Sequence, residues 1–329
     1  MGDVAMTVPV IQSFAEQNPD VEIVMVSRPF FKPFFDRIPQ VEFIGVDLNE
    51  KHKGFKGMFQ LAQELKSLNI THYADLHNVL RTKILRFFLQ FSIPNIASID
   101  KGREEKKALT RKENKVLRPL KSSFERYADV FRALGFSLNL QNVLPQKENA
   151  TSISLSSKIT FNPQKTAIGI APFAQHEGKI LPFETVKKVV EELSKNSNYN
   201  LYLLGGGEKE KQLLESIEKE NVISIVGKLS LTEELALIQQ LNVLFSMDSA
   251  NMHLASLVGT RVISFWGATH PYAGFLGFGQ SEKDCIQRND LDCRPCSIFG
   301  NKPCWRGDWA CLNIDSQIII DKIESSLES

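Results

Sequence analysis

An acid, a hydroxyl and an imidazole follow one of the most apolar runs of this sequence. Asp248 and Ser249 come directly after residues 243–247, and His253 follows about one helical turn later. An acid and a hydroxyl at the start of a helix lie at the positive end of its dipole, where they can take part in binding a polar ligand. Taken alone, Asp248 is equally typical of a helix cap, and His253 of a buried structural histidine.

A lysine occupies a similar position after another apolar run. Lys179 lies beyond residues 167–171 and shortly before Pro182, a residue typical of the first turn of a helix. A cation next to a helix N-terminus can bind a phosphate group, although a solvated loop lysine has the same pattern. The segment is not a Walker A loop, since no Gly-Lys-Ser/Thr ending is present. The glycines at 205–207 do not complete a dinucleotide fingerprint either, because position 210 is Glu210.

The elements that position these residues are predicted from hydrophobic periodicity. Short β-branched runs alternate with amphipathic stretches, which predicts α/β domains with parallel sheets. In the first half, strands are predicted at 21–26, 41–46, 71–75 and 93–99, and helices at 4–17, 57–68 and 79–91. In the second half, strands are predicted at 167–171, 200–204, 222–226, 243–247 and 261–266, and helices at 183–195, 208–220, 232–241, 251–257 and 314–327. We therefore expect two doubly wound domains, 1–150 and 151–312, followed by a C-terminal helix within 313–329, with a linker at 141–164.

Composition and charge narrow the class of protein. The 39 basic and 38 acidic residues leave a net charge of +1, which argues against nucleic acid as the main partner. No apolar run reaches the roughly 18 residues needed to cross a bilayer, and the N-terminus lacks the basic region of a secretory signal. All 5 cysteines lie between Cys285 and Cys311, unlike a disulfide framework spread over a secreted domain. A reducing cytoplasmic location is expected.

Five segments, in order and at matching spacing, resemble the motifs of the ADP-heptose:lipopolysaccharide heptosyltransferases, glycosyltransferase family 9. They are Met1–Pro9, similar to Gly-Asp-x-x-x-Thr-x-Pro; Asp75–Thr82; Lys179–Pro182; Asp248–Leu254; and Phe265–Pro271. The resemblance covers nearly the whole chain. It implies a GT-B architecture, two Rossmann-like domains facing a cleft, and inverting transfer of heptose from ADP-heptose without a metal or other cofactor.

The resemblance also implies roles for individual residues. Asp3 would be the general base that deprotonates the acceptor hydroxyl, and Lys179 would neutralise the departing diphosphate. Further donor-binding positions are Asp248 for sugar hydroxyls, Ser249 for phosphate, His253 in the same motif, Leu229 for adenine, and Glu210 or Glu208 for ribose. Leu181 replaces the family's tryptophan and His77 its glutamine. A GT-B transferase that uses another nucleotide sugar is therefore the alternative.

The acceptor side is predicted from Arg81 and from a basic segment, residues 101–121. This segment holds nine cations against three acids, Arg111 and Lys112 among the cations. In general such a run is a solvated loop. The resemblance places it towards the acceptor, an anionic glycolipid of the lipopolysaccharide inner core, at the inner face of the cytoplasmic membrane.

The cysteines offer one further alternative. Cys293, Cys296, Cys304 and Cys311 form the pattern C-x2-C-x7-C-x6-C, which could hold zinc in a non-catalytic binding protein. The second pair lacks the usual C-x2-4-C spacing, so reduced packing thiols are the preferred interpretation.

The last expectation concerns the first sheet. The family has a buried strand directly before the Gly-Asp segment, whereas this sequence begins at Met1-Gly2-Asp3. We expect Met1 to be an internal methionine of a natural chain that starts about ten residues upstream. The first sheet should then have a gap beside the strand at 21–26, with Asp3 at an exposed terminus.

Overall fold

The chain divides into two units. The computed structural model describes residues 1–141, 159 and 161–328. The first unit contains Met1, Asp3–Arg103 and Lys121–Gln141, and the second contains Gly2, Glu104–Leu120 and the described residues from 159 onward. Most of the expected linker at 141–164 lies outside the described residues.

The first unit alternates helices and short parallel strands. Its elements are α1 (Gly2–Gln17), β1 (Ile23–Ser27), β2 (Val41–Gly45), α2 (Gly54–Lys66), β3 (His72–Asp75), α3 (Leu80–Leu89), β4 (Asn95–Ser98) and α5 (Ser123–Ala133). The helix α4 (Arg103–Thr110) lies between β4 and α5 in the chain, and all of it beyond Arg103 belongs to the second unit. Leu61 and Leu65 of α2 pack with Leu85 and Leu89 of α3 in one apolar cluster. These four leucines are nearly fully buried, so the inner faces of the two helices form the core on this side of the unit.

The strands of the first unit form two separate pairs. β1 pairs with β2 from Ile23 opposite Val41, and β3 pairs with β4 from His72 opposite Asn95, both in parallel. Within the described residues no strand joins the two pairs. The first sheet is therefore interrupted between these pairs, and every residue of β1 remains partly exposed. That the gap lies beside β1 stays a prediction.

The second unit contains one six-stranded parallel sheet. Its elements after α4 are β5 (Thr166–Ala171), α6 (Phe183–Leu193), β6 (Tyr199–Leu203), α7 (Gly207–Glu215), β7 (Val222–Ser224), α8 (Leu231–Gln240), β8 (Val243–Met247), α9 (Ala250–Leu257), β9 (Arg261–Trp266), β10 (Cys285–Gln287) and α10 (Ser316–Leu327). The strand order is β10-β9-β8-β5-β6-β7. β5 and β8 are neighbours, so the direction of winding reverses between them, as in a Rossmann-type sheet.

The core of the second unit explains why its strands are continuous apolar runs. All five residues of β8 are buried, and β9 and β5 are buried beyond their first residue. A parallel sheet covered by helices on both faces leaves no polar side to its central strands. Ile319, Ile320 and Ile323 of α10 close this core against the sheet cluster.

Candidate active site

Lys179 and Asp248 meet at the reversal point of the second sheet. Lys179 ends a short 3-10 turn after β5, and Asp248 follows β8 directly. Because β5 and β8 are adjacent and parallel, their carboxyl ends open at the same edge. Lys179 Nζ lies 3.0 Å from Asp248 Oδ2, and the side chains are only 14% and 4% exposed. Asp248 Oδ2 has no hydrogen bond of good geometry among the described residues, so the contact is an ion pair.

Backbone contacts fix the loop that carries Lys179. The N–H of Gly178 donates to the carbonyl of Gly300 at 3.2 Å, and its carbonyl accepts from the N–H of Ala268 at 2.7 Å. A Cβ at Gly267 would lie 2.5 Å from the Gly178 carbonyl oxygen, so only glycine allows this approach. The lysine is therefore held by the loop after β9 and not left to move freely on the surface.

Ser249 and His253 lie at the start of α9, beside the ion pair. Ser249 is the N-cap residue, with its Oγ 3.2 Å from Ser246 Oγ and no capping hydrogen bond of its own. The ring of His253 is buried, and its Nδ1 has no hydrogen-bond partner in the part of the chain that the structure describes. Burial, and then the charge of Lys179, lower the pKa of His253 to about 3. The imidazole is therefore neutral at physiological pH.

Glu210 and Leu229 follow the next two strands of the same sheet. Glu210 lies in the first turn of α7, where its Oε2 accepts from the N–H of Gly206 at 2.7 Å. Leu229 is half-buried and directly precedes Ser230, the N-cap residue of α8. The six predicted donor residues thus all follow strands of one sheet, at the edge where ligands of such folds bind.

Arg294 is a buried residue that the sequence analysis missed. Its guanidinium donates to the backbone carbonyls of Trp266 at 2.7 Å, Thr269 at 2.9 Å and Arg288 at 2.7 Å, and also to that of Gly267. Burial lowers the pKa of Arg294 to about 10. The arginine thereby fixes the loop after β9, which in turn holds Gly178. Arg294 lies in the cysteine-rich segment, where the sequence pattern points to the thiols and not to the arginine.

The cysteines themselves are all free thiols. Burial raises the pKa of Cys285 and of Cys311 to about 11, so both are neutral. Across residues 1–141, 159 and 161–328, no three cysteine, histidine or acidic side chains are arranged to hold a metal ion.

In the first unit, Asp3 lies exposed in the first turn of α1. Its charge acts on three side chains of the same unit. Burial and the neighbouring Lys101 lower the pKa of His77, while Asp3 raises it. Burial lowers the pKa of Lys101, again opposed by Asp3, and burial together with Asp3 raises the pKa of Tyr127. His77, Lys101 and Tyr127 therefore lie within electrostatic range of the candidate base; Tyr127 had no motif to mark it.

The predicted acceptor residues belong to different units. Arg81 is exposed in the first turn of α3, in the first unit. Arg111 and Lys112 belong to the second, where Arg111 donates to the carbonyl of Asn114 and Lys112 Nζ lies 4.6 Å from the ring centre of Trp305. Their role in acceptor binding stays a prediction.

The basic segment is only in part the solvated loop that its charge favours: residues 111–121 form a mostly exposed loop. Residues Arg103–Thr110 form α4, and Lys115 Nζ donates to the carbonyls of Asp292, Cys293 and Arg294 at 3.1, 2.8 and 2.9 Å. Lys115 thus ties the segment to the cysteine-rich part of the second unit.

Comparisons with known proteins agree with this architecture. The structure matches that of the Escherichia coli ADP-heptose lipopolysaccharide heptosyltransferase II with a TM-score of 0.70, at 18% identity over 99% of this chain and 96% of that one. A family 9 glycosyltransferase of Veillonella parvula matches with a TM-score of 0.72, at 18% identity over 100% and 95%. In sequence, the lipopolysaccharide core heptosyltransferase OpsX of Haemophilus influenzae is 23% identical over 82% of this chain and 77% of its own.

Two α/β units with parallel strands, matching these structures over nearly their whole length, define a GT-B-type glycosyltransferase fold. The model of glycosyltransferase family 9 (heptosyltransferase) matches residues 58–301, well over half of the chain. The protein belongs to glycosyltransferase family 9, and it is an enzyme of the transferase class, as the sequence motifs predicted.

Proposed function

We propose that this protein transfers a heptose from ADP-heptose to the inner core of lipopolysaccharide, with inversion at the anomeric carbon. The observation that carries the proposal is the buried Lys179–Asp248 pair at the reversal point of the second sheet. Relatives named as lipopolysaccharide heptosyltransferases support the sugar and the acceptor class. A related Escherichia coli structure with ADP supports the nucleotide.

The donor site has the chemistry that a nucleotide sugar needs. Lys179 supplies a positive charge for the diphosphate, and this charge becomes more important as the diphosphate leaves. Asp248 accepts hydrogen bonds from sugar hydroxyls, and His253 contributes a neutral ring to the same site. Ser249 with the first N–H groups of α9 holds phosphate, Glu210 the ribose and Leu229 the adenine.

The acceptor step requires a base and a cationic surface. Asp3 removes the proton of the acceptor hydroxyl. At the same time the oxygen of that hydroxyl attacks the anomeric carbon, and the bond from this carbon to the diphosphate breaks. The proton goes to the carboxylate, and ADP leaves with the electron pair. Arg81, Arg111 and Lys112 attract an anionic glycolipid acceptor. The protein acts in the cytoplasm, peripherally bound to the inner face of the membrane; no described helix is long and apolar enough to cross it.

Thermal unfolding with a panel of nucleotide sugars tests the donor. ADP-heptose at a hundred times its dissociation constant should add about 2.7 kcal/mol to the unfolding free energy. The corresponding UDP and GDP sugars should shift the melting temperature far less. A larger shift with one of these would assign the enzyme to another donor, and Lys179→Ala should abolish the shift with the true one.

Transfer assays test the acceptor side. Reversal of charge at Arg81 should raise KM for a phosphorylated core acceptor, in a manner that added salt weakens, and leave KM for the donor unchanged. An acceptor KM that ignores both the substitution and the salt would remove Arg81 from the acceptor site. Activity should also survive EDTA, since Lys179 and the helix N-terminus supply the positive charge at the diphosphate.

A further inference from the structure

Five phenylalanine rings form one continuous surface on α2 and α3 of the first unit. Phe88 lies at its centre, with its ring centre 4.9 Å from that of Phe55, 5.2 Å from Phe59 and 5.7 Å from Phe87. Phe87 in turn lies 6.1 Å from Phe91. These five residues are called the phenylalanine surface below. It is the outer side of the same two helices whose leucines form the core.

Most of this surface is open to solvent. The exposed fractions are 79% for Phe91, 61% for Phe55, 54% for Phe87 and 48% for Phe59. At about 200 Å² for each side chain, they expose roughly 480 Å² of aromatic surface. Leu80, 76% exposed, lies seven residues before Phe87 and extends the same side of α3 by two turns. Apolar patches of this size on a monomer are commonly binding surfaces.

Cations outnumber acids in the sequence around the phenylalanine surface. Neither residues 51–63 nor residues 76–99 include an aspartate or a glutamate. Their six cations are Lys51, Lys53, Lys56, Arg81, Lys83 and Arg86. Lys83 and Arg86 line a depression of about 340 Å³ together with Phe87, so positive charge directly borders the aromatic rings. Lys51 pairs with Glu64 and Arg86 lies 3.9 Å from Asp75, whereas Lys53, Lys56 and Lys83 are exposed.

We propose that the phenylalanine surface binds the protein to an anionic phospholipid membrane. Exposed aromatic rings on a helix face with lysine and arginine beside them are the features of helices that lie in the membrane interface. The rings enter the boundary between headgroups and acyl chains, while the cations contact lipid phosphates. A second copy of the chain fits the surface poorly, because a twofold contact would place cationic segments against each other.

The inference extends the proposed function, since a lipid-anchored acceptor requires the enzyme to reach the bilayer. Its test needs neither donor nor transfer. The purified protein is floated with vesicles of phosphatidylcholine alone, or of phosphatidylcholine and phosphatidylglycerol in equal amounts. We expect binding to the anionic vesicles only, and a weaker affinity as salt is added. The double variant Phe87→Ser/Phe91→Ser should bind at least about tenfold more weakly, since each ring loses apolar burial in the membrane.

Two further variants separate the contributions. Lys53→Glu/Lys56→Glu, both in exposed positions, should weaken binding to anionic vesicles several-fold per charge. Ile318→Ser is the matched control: Ile318 is 53% exposed on α10 of the second unit, and its substitution should leave vesicle binding unchanged. Thermal unfolding of each variant checks that the fold is kept.

Several outcomes would overturn the inference. One is the absence of binding to anionic vesicles; another is equal loss in the Ile318→Ser control. If the protein sediments as a dimer and Phe87→Ser/Phe91→Ser makes it monomeric, the surface joins two copies. Vesicle binding that follows the variants while ADP-heptose fails to stabilise the protein would refute the proposed function alone. A stabilising donor with no vesicle binding would refute only this inference.

Discussion

The ion pair between Lys179 and Asp248 leads to a prediction with an unusual sign. In the structure the lysine that should bind the diphosphate is already occupied by a carboxylate at 3.0 Å. An incoming ADP must share this cation and approach a negative charge. Asp248→Asn removes the charge and keeps the shape of the side chain. We therefore expect this variant to bind ADP more tightly than the parent protein does, although it should transfer the sugar poorly.

The magnitude follows from the geometry. A phosphate in contact with Lys179 Nζ would lie roughly 6 Å from the Asp248 carboxylate, and two unit charges at that distance repel by about 1–3 kcal/mol at effective dielectric constants of about 20–60. The dissociation constant for ADP should fall roughly 5- to 150-fold in Asp248→Asn. Lys179→Ala removes the attraction and also leaves a 4% exposed carboxylate without its partner. That should cost about 3–5 kcal/mol of stability and weaken ADP binding at least about a hundredfold.

Calorimetric titration with ADP, on both single variants and on Lys179→Ala/Asp248→Asn, measures these effects. The double variant should recover part of the stability lost in Lys179→Ala, since no unpaired charge remains buried. Its affinity for ADP should stay low. If Asp248→Asn binds ADP no more tightly than the parent protein, the assignment of Lys179 to the diphosphate is wrong.

Three further substitutions follow from the site geometry. Asp3→Asn should lower kcat by roughly 10²–10⁴-fold while the dissociation constant for ADP hardly changes, and full activity in a transfer assay would remove Asp3 from the mechanism. The lowered pKa of His253, about 3 against about 6.5 in an unfolded chain, means that the unfolded state takes up the proton first as pH falls. The free energy of unfolding should then fall by up to about 1.4 kcal/mol per pH unit below about pH 6.5. Urea unfolding at several pH values should show a smaller dependence on pH in His253→Asn. An unchanged dependence would contradict the lowered pKa of His253. Arg294→Lys should lower Tm by roughly 5–10 °C, since an ammonium group cannot satisfy all the carbonyls that the guanidinium reaches, and an unchanged Tm would show that the loop is held by other contacts.

The sheet of the second unit could be predicted from the sequence almost residue by residue. The predicted strands at 243–247 and 261–266 coincide with β8 and β9, because strands buried on both faces leave uninterrupted apolar runs. β10 was missed because its three residues carry no such run. α5 was also missed, although Ser122 followed by Glu125 is a helix-start signal, and the Ser122 hydroxyl does accept from the N–H of Glu125.

The loops that form the candidate site could each be predicted from the sequence, but the contacts between them could not. Lys179 and Asp248 could each be singled out by residue type and position. Their contact depends on the adjacency of β5 and β8, which lie about seventy residues apart in sequence and are brought together by the strand order. The role of Arg294 in fixing the loop after β9 could not be predicted from the sequence, because its partners are backbone carbonyls, which every residue type has.

The bond between Lys115 and the carbonyls of residues 292–294 has a consequence for synthesis on the ribosome. The nearest of these partners lies 177 residues further along the chain. At a translation rate of roughly 5–20 residues per second, the partners of Lys115 are synthesised about 10–35 s after the lysine itself. During this interval the segment at 104–120 leaves the ribosome without the surface to which it belongs. Fragments that end before residue 292 therefore cannot complete the second unit, whatever they retain of its sheet.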